Sequence, residues 1–148
     1  MSAGAPVLTG LLVLLAALAL AGCGAANPAE GTVRADVLVE PAPGEGVWHR
    51  GVELTGGASA YDLLAAAVGE GLEAEWYAEY KAHFITAIGA VAPEGNAFWA
   101  VFTWNAGTQR WEPLPVGADA HVVSDGEVMG WAVVTYDPET PQLPQTRP

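Results

Sequence analysis

Residues 98–111 read FWAVFTWNAGTQRW, three tryptophans and two phenylalanines in a short run of a small, acidic chain. Aromatic and β-branched residues favour a pleated, half-buried strand. Asn105-Ala106-Gly107 is turn chemistry, so the stretch predicts a β-hairpin. With Asn105 to Thr108 as the loop, Trp104 stands opposite Gln109, and Phe102 opposite Trp111. Strand alternation then puts Phe98, Ala100, Phe102, Trp104 and Trp111 on one face, and Trp99, Val101 and Leu114 on the other. Both faces are apolar, so both need a cover.

The same two-sided pattern recurs downstream. EVMGWAVVTY (127–136) carries Val128, Ala132, Val134 and Tyr136 on one side and Met129, Trp131 and Val133 on the other. Upstream, Val33, Ala35, Val37 and Val39 alternate with polar residues as a half-buried strand does. PAPGEG (41–46) breaks that strand, and 47–54 reads as a second, weaker one. In GGASAYDLLAAAVGEG (56–71) the period changes. Ser59 as N-cap with Asp62 three residues on makes a capping box. Leu63, Leu64, Ala67 and Val68 share a helical face, and Gly69 with Gly71 stops the helix. LEAEWYAEYK (72–81) supports helix by propensity and strand by the alternation of Trp76, Ala78 and Tyr80. HFITAIGAV (83–91), QRWEPLPV (109–116) and AHVVS (120–124) read as further strands.

One helix against a set of short strands is an α+β domain. A single helix covers only one sheet face. The larger aromatic set, with Trp104, is expected to meet it, leaving the Trp99 face less covered. Loops or the 72–81 segment can close that face; otherwise it is an exposed patch of the kind that marks ligand or partner sites.

The chain has 148 residues and a formal net charge of −12. Its first 29 residues carry no charged side chain, and all acidic and basic groups lie beyond them. A strongly acidic surface with no basic patch is repelled by phosphate backbones, which excludes nucleic acid as a partner. Leu11 to Leu20 has the length of a secretory h-region, and it runs into Leu20-Ala21-Gly22-Cys23. That ending resembles the lipobox of bacterial lipoproteins, which implies cleavage before Cys23 and acylation of its thiol. Acyl chains contribute about 0.8 kcal/mol per buried methylene, so two or three anchor firmly. The alternatives are an uncleaved apolar segment, since about 20 residues span a bilayer, or a cysteine that is merely a small apolar residue. Cys23 is the only cysteine, so no internal disulfide or thiolate metal site is expected. The division that follows is a signal peptide at 1–22, a tether at 23–31, a folded domain at 32–136 and a disordered or extended Pro-rich tail at 137–148.

Catalytic chemistry is not apparent. His49, His83 and His121 lie in separate elements without metal-ligand spacing and read as ordinary strand residues. Ser59 and Ser124 have capping or turn contexts rather than a nucleophile elbow. Asp125-Gly126-Glu127 lacks the rest of a calcium loop. No phosphate-cradling glycine loop is present. The chain is expected to be neither an enzyme nor a metalloprotein, and to carry no intrinsic cofactor.

Four stretches together resemble the C-terminal β-domain of transcobalamin and intrinsic factor, and the small bacterial secreted proteins that carry that domain alone. They are GGASAYDLLAAA (56–67), HFITAIGAV (83–91), FWAVFTWNAG (98–107) and PVGADAHVVSDGEVMGW (115–131). The resemblance implies a ubiquitin-like or β-grasp-like fold with an antiparallel-rich sheet and one helix. It also implies a surface that meets a corrin ring such as that of cobalamin, with Trp99 in the position of a ligand contact. Val101 and Trp131 share the face of Trp99, and the three form the expected ligand-binding set. The sequence departs from the family in having no helical barrel, so it offers one of two walls, and in having Asn-Ala-Gly where bacterial members show Asn-Gly.

The function expected is a ligand-binding module, lipid-anchored through Cys23 on the extracytoplasmic side of a bacterial cell envelope, with a corrinoid as ligand. The alternative is an envelope adaptor that docks a protein partner on the same aromatic face or on a sheet edge. A third reading has all the aromatics in the core.

Overall fold

The computed structural model describes residues 31–148. The expected signal peptide, Cys23 and nearly all of the expected tether lie outside the described residues. Seven strands and one helix follow in order: β1 Thr32–Glu40, β2 Val47–Thr55, α1 Ala60–Val68, β3 Leu72–Tyr77, β4 Ala82–Ile88, β5 Ala97–Asn105, β6 Arg110–Pro113 and β7 Val128–Thr135. The main sheet has the order β2-β1-β7-β5-β6, and β3 pairs only with β4. The two central strands, β1 and β7, run parallel, with Asp36 opposite Val128 and Glu40 opposite Ala132. The other pairs are antiparallel. A helix crossing one face of a mixed, mostly antiparallel sheet gives an α+β fold of β-grasp type, with a second hairpin inserted between α1 and β5.

Local chemistry explains the element ends. The Ser59 backbone N–H donates to Asp62 Oδ2 at 2.8 Å, and the Asp62 N–H donates to Ser59 Oγ at 3.2 Å. Two of the donors at the helix start are thereby satisfied reciprocally. Gly69, at φ 60°, ends the helix. LEAEWYAEYK resolves as strand and turn because β3 finds β4 as a partner: Glu75 stands opposite Phe84 and Trp76 opposite His83. Tertiary pairing overrides helix propensity here. AHVVS, by contrast, is not a strand. A 3-10 turn spans Ala118–Ala120, and Val122 makes one isolated bridge to Ser59. Hydrogen bonds from Ala60 N–H to His121 O and from Val123 N–H to Ala58 O tie this segment to the helix start instead of to the sheet.

The aromatic hairpin forms, in a shifted register. Trp104 faces Trp111 and Phe102 faces Pro113, so the loop is residues 106–109. Asn105 Oδ1 accepts the Gly107 and Thr108 N–H groups at 3.0 and 3.1 Å. This turn keeps Asn105 as the last strand residue. Partners move by two residues, and because the side-chain period is also two, every residue keeps its expected face.

The expectation about which face meets the helix is reversed. Trp99, Met129 and Trp131 pack with Ala35, Val37 and Val39 of β1 under Leu63 and Leu64 of α1 and Ile85 and Ile88 of β4. Leu38, Phe102, Trp111, Ala132 and Val134 form a separate cluster on the opposite face, with Trp48, Phe98 and Trp104 against it. The cover there is the chain's own C-terminal segment, expected to be disordered or extended, which runs extended across this face. Gln145 and Thr146 donate their backbone N–H groups to the two Glu40 carboxylate oxygens at 2.8 and 2.7 Å. Trp111 Nε1 donates to Thr146 O at 2.8 Å, and the Thr135 N–H donates to Gln142 Oε1 at 2.9 Å. A single extended strap presents little side-chain area, so wide rings must fill the space beneath it. That is why the larger aromatic set lies on this face. Two glycines make the seat possible. A Cβ on Gly130 would meet the Trp111 ring at 3.1 Å, and one on Gly46 would meet Thr146 Oγ1 at 2.6 Å.

Glu40 is 2% exposed. Burial pushes its carboxyl up, but hydrogen bonds from Thr146, Gln145 and Gly44 outweigh that and hold it below the ordinary 4.5. A buried carboxylate with its lone pairs filled by backbone donors is the latch of the strap.

Candidate functional site

With both sheet faces covered, the open apolar surface lies at an edge. β6 pairs with β5 only from Phe102 to Asn105. The ladder closes when the Leu114 N–H donates to Val101 O at 3.0 Å. The first half of β5 therefore has a strand neighbour, β7, on one side only. Beside this bare edge lies a cleft of about 420 Å3, with Phe84, Phe98, Val101, Leu114 and Tyr136 among its walls.

The β3–β4 hairpin extends this surface. Its outer face has no covering layer, so the cross-strand neighbours Tyr77 and Phe84 remain exposed. Their rings meet edge-on, with centroids 6.3 Å apart and planes at 81°. Together with Tyr80, Ala82 and His83 they line a second cavity of about 390 Å3. A third of about 110 Å3 lies between Phe84 and Thr86 on one side and Pro93 and Phe98 on the other. Phe84 is a wall of all three cavities. Glu75 lies opposite Phe84 and accepts the Tyr77 hydroxyl at 3.1 Å. This hydrogen bond and the carboxylate charge raise the Tyr77 phenol above its ordinary value of 10.0, so it is a neutral donor at any physiological pH.

The inner face of the hairpin fixes it to the body of the domain. His83 donates its backbone N–H to Asp119 Oδ2 at 2.7 Å, and its Nδ1 lies 2.6 Å from Asp119 Oδ1. The imidazole stacks on Tyr61 with centroids 3.9 Å apart and planes at 6°, and Trp76 tilts against it at 4.9 Å. His83, expected to be an ordinary strand residue, is thus the anchor of the aromatic hairpin.

The three residues expected to contact ligand are placed together; Trp99 and Trp131 are interior and Val101 is half-buried. Trp99 is 5% exposed and donates Nε1 to Val91 O at 3.3 Å. Val101 and Trp131 are cross-strand partners, and Trp131 is 1% exposed. Trp99 and Val101 touch the β5-edge cleft; Trp131 does not line it. The open walls of the β5-edge cleft are Phe84, Phe98 and Tyr136 instead, while Tyr77 and Tyr80 line the separate hairpin cavity. The clue in the sequence is LEAEWYAEYK itself: aromatics on both sides of a strand with acidic neighbours leave one set without a core to enter.

Among the described residues no group of three or more His, Cys, Asp or Glu side chains is placed to hold a metal ion. No described helix is long and apolar enough to cross a membrane. An edge cleft with aromatic walls and few polar groups suits the burial of a flat, partly apolar molecule.

No protein-family model matches the sequence, and no curated protein matches it. Similarity appears at the level of the fold, in solved structures. Haptocorrin in complex with Cbi superposes with a TM-score of 0.59 at 18% identity, over 72% of this chain and 26% of haptocorrin. A protein from Ruminococcus gnavus ATCC 29149, provisionally described as metal binding, superposes with a TM-score of 0.54 at 18% identity, over 71% of this chain and 99% of that one. This chain therefore shares the fold of a haptocorrin segment and spans about a quarter of that protein's length. The same fold also accounts for nearly the whole of the bacterial protein.

Proposed function

We propose that this chain is a ligand-binding module of the bacterial cell envelope, acting by binding rather than catalysis, and that its ligand is a corrinoid such as cobalamin. The observation that carries the reading is the uncovered aromatic cleft at the β5 edge, on a fold shared with a segment of haptocorrin, a protein solved in complex with Cbi. Aromatic walls bury large areas at little rotamer cost, which suits a broad, partly apolar macrocycle. The domain supplies one wall, so binding alone is expected to be weaker than in a two-walled site.

Absorbance titration with cobinamide tests this. Saturable binding is expected, weakened about tenfold or more by Phe98→Ala, in line with the energy of an aromatic anchor at an interface. A titration without saturation on folded protein, or one indifferent to Phe98→Ala, contradicts the reading.

Anchoring belongs to the same proposal. The lipobox-like Leu20-Ala21-Gly22-Cys23 would tether the domain to the extracytoplasmic face of the membrane. Cys23→Ser is then expected to leave an unprocessed precursor, while the wild-type protein partitions into detergent. A wild-type protein in the aqueous phase with a free thiol at position 23 contradicts the anchor and leaves the binding reading standing.

A further inference from the structure

The hairpin cavity has a chemistry different from that of the β5-edge cleft, and we infer that it is a site for a small organic cation bearing a quaternary ammonium group, choline being the simplest. Tyr77 and Phe84 meet at a right angle, 6.3 Å between centroids, and form two walls of an open corner. Tyr80, from the turn that joins the strands, supplies the third wall and is 72% exposed. Three aromatic rings around a cavity can attract a cation through their quadrupoles, and a methylated ammonium suits such a cage because it needs no hydrogen-bond acceptors.

The charge around the cavity agrees. Glu75 shares the outer hairpin face with Phe84 and Tyr77, and its carboxylate accepts the hydroxyl of Tyr77, a wall of the cavity. Lys81 is the hairpin's one lysine or arginine, beside His83, which is tied to Asp119, and it stands against Glu73, Glu75 and Glu79; the whole chain carries a net charge of −12. Phosphate or carboxylate ligands are repelled by that field, while cations are drawn in and held more tightly at low salt. The His83–Asp119 anchor holds the strand that carries Phe84, so part of the cage is preorganised.

The site is tested by calorimetric titration of the wild-type protein with choline and with 3,3-dimethyl-1-butanol, its uncharged isostere. Choline is expected to bind at least about tenfold more tightly than the isostere, because the quadrupole attraction acts only on the charge. Tyr80→Ala and Phe84→Ala should each weaken choline about tenfold, and Glu75→Gln should weaken it less while flattening its salt dependence. Circular dichroism confirms that each variant is folded; Tyr80, at an exposed turn, is the substitution least able to disturb the fold. Equal affinity for choline and its isostere, or no choline binding by folded wild-type protein, overturns the inference. Binding to phosphatidylcholine vesicles without binding to free choline also overturns it, since the ligand would then be a membrane surface. Tyr80→Ala is expected to leave the cobinamide titration unchanged and Phe98→Ala to leave the choline titration unchanged, so either site can fail without the other.

Discussion

Removal of residues 137–148 is expected to lower the stability of the domain by about 3–5 kcal/mol. The estimate combines re-exposure of a large apolar side chain with the loss of hydrogen bonds to a buried charged group. The strap covers Trp111, whose indole N–H it accepts, and it fills both oxygens of Glu40 with backbone donors. Urea denaturation of the truncated and full chains measures the difference, and a red shift of tryptophan emission in the folded truncated protein reports the uncovered rings. The strap's contribution also depends on pH. The Glu40 carboxyl is held below its ordinary value in the folded protein, so its share of stability is complete above about pH 4.5 and declines as pH falls through the lower folded value. The full-length protein should therefore lose more stability on acidification below pH 4.5 than the truncated one. Equal stability of the two chains at pH 7 would mean that the strap is an incidental contact.

The second large effect separates the two sheet faces. Trp99→Ala is expected to cost about 3–5 kcal/mol, the usual range for truncating a buried aromatic. The Trp99 ring packs in the cluster beneath α1 and donates to Val91 O. Trp104→Ala should cost only about 1–2 kcal/mol. The Trp104 ring is half-buried, and its main contact is an edge-on meeting with Trp111 at 5.3 Å, an arrangement worth about 0.5–1.5 kcal/mol. Thermal or urea unfolding of the two variants ranks them. The reverse order would put the helix on the Trp104 face.

That ranking is the opposite of what the sequence alone suggests, and the reason is physical. Alternation along 98–111 and 127–136 sorted the side chains onto the correct faces, because pleat geometry is local. Choosing which face met the helix required knowing what covered the other one. A proline-rich segment with little apolar content gave no sign of docking, because the strap is held mainly through backbone N–H and C=O groups, which every sequence possesses. The helix was legible for the converse reason: Ser59 and Asp62 cap it with their own side chains. The register of β5 and β6 was missed by two residues because Asn105 closes the turn from the strand end, a geometry that Asn-Ala-Gly does not distinguish from a turn starting at Asn105.

The candidate cleft was legible in part. Aromatic excess pointed to a binding surface, and Trp99 and Val101 do touch the cleft. Its open walls, however, come from Phe84 on a hairpin whose strand character was ambiguous, and from Tyr136 beyond the last strand. Pairing of β3 with β4, rather than any local preference, turned the outer aromatics toward solvent.

Amide chemical-shift mapping with cobinamide tests most directly whether the ligand surface is the β5 edge rather than either sheet face. The largest shifts are expected at Phe84, Phe98, Leu114 and Tyr136, with residues 143–148 unmoved. Shifts centred on Trp48, Trp104 and Trp111, accompanied by release of the strap from Glu40, would contradict it and make the covered face the binding site.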